Sequence, residues 1–101
     1  MEHPTNIWMT FKRNCRLYSR NIAIVQGQEH IVFSGLESLA SGYCRALTRD
    51  GIKRYDRVLI SGTNSIRTAG AILGTFAADC IAVIVDPFLP DWEWENVIET
   101  V

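Results

Sequence analysis

Five residues, Ser61-Gly62-Thr63-Asn64-Ser65, stand where chemistry could happen. They separate an apolar run, Val58-Leu59-Ile60, from a helical pattern that begins at Ile66. A strand-to-helix turn of small polar residues can present backbone N–H groups to an anion. A phosphate loop of the usual kind adds a lysine and further glycines, and this turn has neither. It therefore reads as a structural turn. His3 and His30 are isolated, with no acid or nucleophile spaced to form a triad, and read as surface or hairpin histidines. Asp86-Pro87 reads as the turn that closes a strand.

The cysteines, Cys15, Cys44 and Cys80, are odd in number and widely spaced. That pattern suggests neither a disulfide framework nor a zinc site. Free cysteine in an apolar context behaves as a small buried hydrophobe, and a reducing, cytoplasmic setting fits best. Trp92 and Trp94 flank Glu93 near a helix start and would point in different directions. Both are candidate interface residues. The sequence assigns no catalytic, cofactor-binding or metal-binding residue.

Composition narrows the rest. The chain has 101 residues, 48% hydrophobic and 21% charged, enough apolar material for one small domain. Ten basic against eleven acidic residues leave no basic excess for nucleic acid. Lys12, Arg13, Arg16 and Arg20 cluster at helical spacing and read as a solvated face. The start, Met1 to Asn6, shows no secretory signal. The apolar run from Thr68 to Val85 approaches a membrane span in length, but Asp79 interrupts it and its last part is β-branched. A helix followed by a strand is expected there, with no membrane span.

The elements that must position these residues follow from periodicity and caps. Asn6 can cap a helix from Ile7 to about Ser19, with Ile7, Trp8, Phe11, Cys15 and Tyr18 as its stripe. Ile22–Val25 and His30–Phe33 read as a hairpin around Gly27. Ser34 and Glu37 match a capping box for a helix carrying Leu36, Leu39, Ala40, Tyr43, Cys44 and Leu47, stopped by Gly51. Arg57–Ser61 is a short strand. Ser65 caps a helix from Ile66 to about Ala78, rich in alanine and glycine. Gly70 and Gly74 predict close packing, most simply against a sheet. Ile81–Val85 is the next strand, and a last helix runs from Pro90 to Val101.

The expected fold is α/β: an N-terminal helix and β-hairpin, then a helix and a parallel βαβ unit, as part of a larger layered α/β domain. The two strands of that unit are continuous apolar runs, which predicts cover on both faces. With two such strands the sheet has open edges.

The ordered set from Phe33 to Pro87 resembles the opening of the adenylate-forming (AMP-binding) superfamily. This superfamily includes acyl-CoA synthetases and the adenylation domains of peptide synthetases. The residues carrying the likeness are Phe33, Leu36, Ala40 and Leu47, then Gly51-Ile52-Lys53-Arg54-Tyr55-Asp56-Arg57-Val58. Asn64-Ser65, Ala71-Ile72-Leu73-Gly74 and Val85-Asp86-Pro87 follow in order. The opening helix and Asn21-Ile22-Ala23-Ile24-Val25 fit as well. In that alignment Ser61–Ser65 falls on an ordinary strand-to-helix turn.

Two residues depart from the family pattern. Tyr55 stands where glycine is usual before Asp-Arg-Val, and Asp79-Cys80 where a small Ala/Gly pair is usual. Glycine at the first position often serves a positive φ, and Asp79 would sit at a buried helix–strand junction in the full enzyme.

The resemblance implies an enzyme that activates a carboxylic acid with ATP as an acyl-adenylate and then passes the acyl group to a thiol. Its phosphate loop, its aromatic-Gly-Xaa-Thr-Glu segment, its ribose-binding aspartate and its catalytic lysine all lie downstream of the region represented. Residues 1–101 are thus expected to form a single, partial N-terminal subdomain, inactive alone. ATP and Mg are expected only for the complete enzyme. The partner is the remainder of the adenylating enzyme or, alternatively, further copies in a homo-oligomer.

Overall fold

The computed structural model describes residues 7–100. Its order is α1 (Ile7–Leu17), β1 (Ile22–Gln26), β2 (Glu29–Val32), α2 (Phe33–Arg49), β3 (Arg57–Ser61), α3 (Ile66–Ala77), β4 (Ile81–Val85) and α4 (Asp91–Thr100). The α/β expectation holds element for element. The Asn6 cap and His3 lie outside the described residues.

β1 and β2 form an antiparallel hairpin with Gln26 opposite Glu29. Gly27 takes φ +60° at the first central position, where a type II′ turn needs glycine. β3 and β4 form a separate, parallel two-stranded sheet, from Arg57 opposite Ile81 to Ser61 opposite Val85. α3 packs on both of these strands, and α2 packs on α3.

The end of α2 is a full Schellman stop. Ile52 N–H donates to Leu47 O and Gly51 N–H to Thr48 O, with Gly51 at φ +91°. Its start differs from the capping-box expectation. The helix begins at Phe33, its cap residue is Val32, and no side chain closes it. The hairpin runs directly into the helix, so the first free N–H groups find backbone carbonyls instead. Phe33 N–H donates to Asn21 O and Ser34 N–H to Ser19 O. α1 is clipped to the same place: the Cys15 thiol donates to Phe33 O, and the Phe33 ring lies 6.4 Å from Phe11 and 6.5 Å from Tyr18. The α1 stripe is buried only in its middle, because Ile7 and Tyr18 stay exposed.

α3 is capped as its sequence predicts. Ser65 Oγ accepts from Thr68 N–H at 3.1 Å. Its two buried glycines, however, face α2 and not the sheet. A Cβ on Gly70 would meet the Leu39 side chain, and one on Gly74 would meet Ala40 O and Tyr43 Cβ, each at 2.6 Å. Helix backbones this close exclude any side chain between them.

The parallel strands are only partly covered. Ile60 and Val85 are buried, while Ile81 and Ile84 are about half exposed. The expected cover on both faces is only partial among the described residues: Ile60 and Val85, buried on opposite faces, share those faces with the exposed Ile84 and Ile81. Among the described residues the apolar core is small: Cys15, Leu36, Ala40, Ile60, Cys80 and Val85.

Both departures from the family pattern adopt left-handed backbone. Tyr55 has φ +70° and Asp79 φ +59°. The conformation costs a non-glycine residue about 1–2 kcal/mol, less for aspartate. Asp79 is the left-handed residue of a second Schellman stop: Cys80 N–H donates to Thr75 O and Asp79 N–H to Phe76 O. Its side chain is half exposed within this chain.

Candidate functional site

The turn between β3 and α3 engages its own polar atoms. Ser65 Oγ is taken by Thr68 N–H and lies 3.0 Å from Thr68 Oγ1. Ile66 N–H donates to Gln26 Oε1 at 3.1 Å, which ties the hairpin to the helix start. Two donors that an anion would use are thus already satisfied within the chain. Beside the turn, α2, β3 and α3 border an open groove of about 460 Å³ that includes Tyr43, Leu47, Ile60 and Thr75. Thr75 is the one buried polar side chain among the described residues, and its hydroxyl donates to Ala71 O. The groove walls combine apolar residues such as Leu47 and Ile60 with Ser61, Thr63, Arg67 and Thr68.

His30 is exposed on β2 opposite Val25. Asp86 accepts Phe88 N–H on its carboxylate at 2.8 Å, so it closes the turn after β4. Arg13, Arg16 and Arg20 are exposed and Lys12 half-buried. Trp92 is 63% exposed and Trp94 half-buried on α4, a helix that buries none of its residues. Sequence reasoning did not single out Phe88, the most exposed large apolar residue among the described residues at 82%. Its signal was available: an aromatic placed between Pro87 and Pro90, where no regular element can bury it.

All three cysteines are free, with Cys15 and Cys80 buried. Burial, with Glu37 nearby, raises the Cys15 thiol to about 11. Burial and the Asp56 charge also push Cys80 up. The unfolded chain releases these protons from about pH 9, while the native chain still holds them. Stability should therefore fall as pH rises through 9 towards 11. Urea midpoints across that window measure it, and the decline should be shallower when both cysteines are replaced by alanine. Below pH 9 the two thiols should alkylate more slowly than the half-buried Cys44.

The architecture has known counterparts. A family model described as AMP-binding enzyme matches residues 11–101. The chain belongs to the AMP-binding enzyme family. Among its relatives, the anguibactin system regulator of Vibrio anguillarum is 32% identical over 89 residues, covering 88% of this chain and 8% of that protein. Malformin synthetase of Aspergillus niger is 33% identical over 61 residues, covering 60% of this chain and 1% of that protein. The chain therefore spans a small fraction of the length of the curated relatives it matches. Klebsiella oxytoca NpsA, solved in complex with 3-hydroxyanthranilyl-AMSN, superposes with a TM-score of 0.89 at 16% identity, over 96% of this chain and 20% of that one. Coronafacic acid ligase from Pectobacterium brasiliense gives 0.87 at 22% identity, over 93% and 19%. At such identities the structural likeness concerns the fold. The same fold occurs in the solved N-terminal subdomain of Klebsiella oxytoca NpsA, with a TM-score of 0.85 at 17% identity over 92% of this chain and 24% of that one.

Proposed function

We propose that this chain is the N-terminal structural portion of an ATP-dependent, carboxylic acid-activating ligase of the acyl-CoA synthetase type. It supplies strands and helices, and the chemistry resides in the remainder. The observation that carries this reading is the asymmetry of coverage. Nearly all of this chain matches, yet it accounts for about a fifth of coronafacic acid ligase and of NpsA.

The residues present do not fit a nucleotide–metal site. Ser61–Ser65 contains no lysine, and its helix start is closed by Ser65 and Gln26. Among the described residues no three His, Cys, Asp or Glu side chains gather to hold a metal. ATP and Mg belong, on this reading, to the complete enzyme, which is cytoplasmic. No helix of the described residues is long and apolar enough to cross a membrane.

A second reading is a self-associating module, favoured by the exposure of Phe88 and Trp92. Sedimentation of the chain alone separates the two. A stable oligomer that dissociates on Trp92→Ala supports the module, and a monomer supports the ligase portion. Isothermal titration of the chain with MgATP should give no binding heat; clear micromolar binding would sink the ligase-portion reading.

A further inference from the structure

The two left-handed residues touch each other. Tyr55 N–H donates to Asp79 O at 2.9 Å. Two further bonds join the same two turns: the Cys80 thiol to Lys53 O at 3.3 Å, and Ile81 N–H to Asp56 O at 2.9 Å. The second of these sits directly before the first parallel pair, Arg57 opposite Ile81. Where the turn at 53–56 meets the helix stop at 78–80 therefore decides where the parallel ladder begins.

One side chain spans both departures. The Arg54 guanidinium lies 4.8 Å from the Tyr55 ring centroid, and its Nε is 3.7 Å from Asp79 Oδ2. A planar guanidinium can stack on a ring with its face while its edge meets a carboxylate. Two glycines at these positions would adopt φ > 0 freely and give the arginine nothing to hold. With tyrosine and aspartate, left-handed backbone is disfavoured at both places, and both side chains become handles for the same cation.

We propose that Arg54 is the clasp of a latch that holds Tyr55 and Asp79 in left-handed backbone and so sets the register of β3 on β4. The latch replaces conformational freedom with side-chain contacts. It makes the substitutions at 55 and 79 a compensated pair and not two independent defects. Each contact is exposed, so each is modest, but both act on one hinge.

Amide hydrogen exchange on the full chain tests it, read as protection factors at positions 55 and 81. Arg54→Ala should lower both by about three- to tenfold, as expected for losing one exposed ion pair and one exposed cation–π contact. Amides in the α1–α2 region should not change. Arg54→Lys, which keeps the charge and loses the stacking, should fall between. In the Tyr55→Gly/Asp79→Gly background, Arg54→Ala should change neither amide. An equal loss of protection in both backgrounds, or no loss in either, would overturn the latch.

Discussion

Gly74→Ala is expected to destabilise this chain by about 3 kcal/mol, the upper end of what overpacking costs. The new methyl would sit 2.6 Å from Ala40 O and from Tyr43 Cβ, and 3.2 Å from Cys44 N. Two of these three atoms are α2 backbone, which cannot turn aside. Alanine favours a helix over glycine by about 1 kcal/mol, so propensity alone predicts the opposite sign. The steric term wins because α2 and α3 must separate to admit the methyl, and Ala40, fully buried, loses its contacts. Gly70→Ala makes a useful comparison. The three nearest atoms it meets all belong to the Leu39 side chain, which has rotamers to use, so it should cost clearly less. Thermal unfolding of both variants reads the difference, at about 4–8 °C per kcal/mol for a domain of this size. Equal midpoints for the two variants would show that the helix contact is not as tight as described.

Leu36→Ala should cost about 2–5 kcal/mol, the range for emptying a buried leucine site. Leu36 is 3% exposed on α2, one turn before Ala40. It belongs to a short set of buried apolar residues, so few neighbours remain to share the loss. Domains are stable by about 5–15 kcal/mol in total, and a change of this size approaches the lower end. Urea unfolding should show a lower midpoint with an unchanged slope. A loss below 1 kcal/mol would mean that the α1–α2–hairpin core contributes little to folding.

The local devices were legible in the sequence because they are local. Gly51 with Ile52 predicted a helix stop that the structure closes with two hydrogen bonds. Ser65 predicted a cap that forms at 3.1 Å. The family glycine missing at Tyr55 pointed to a positive φ, and the residue has one. What failed depended on distant partners. The Ser34 and Glu37 box was correct as a pattern, but Ser19 and Asn21 bring carbonyls to the helix start that no local pattern reveals. The Gly70–Gly74 spacing announced a close approach, expected against the sheet, but α2 is the neighbour. The strands β3 and β4 read as covered on both faces, because an apolar run marks strands able to be covered without showing how far the helices of this chain cover them.

The candidate surface was legible to a lesser degree. Trp92 and Trp94 lie on a helix as expected and differ in exposure. Phe88 has no periodicity to give it away. The coupling of Arg54, Tyr55 and Asp79 was visible only as two separate oddities, because a contact across 24 positions leaves no trace in local spacing.

Acid-dependent ATP–pyrophosphate exchange bears most directly on the central claim. It should be run on this chain alone and on a polypeptide in which the chain is followed by the lysine-bearing phosphate loop and the other downstream ligase segments. The longer polypeptide should exchange, the chain alone should not, and Gly74→Leu in the longer polypeptide should abolish exchange by keeping α2 and α3 apart. Exchange by the chain alone, or undiminished exchange by the longer polypeptide after residues 1–101 are removed, would contradict a structural role in an acid-activating ligase.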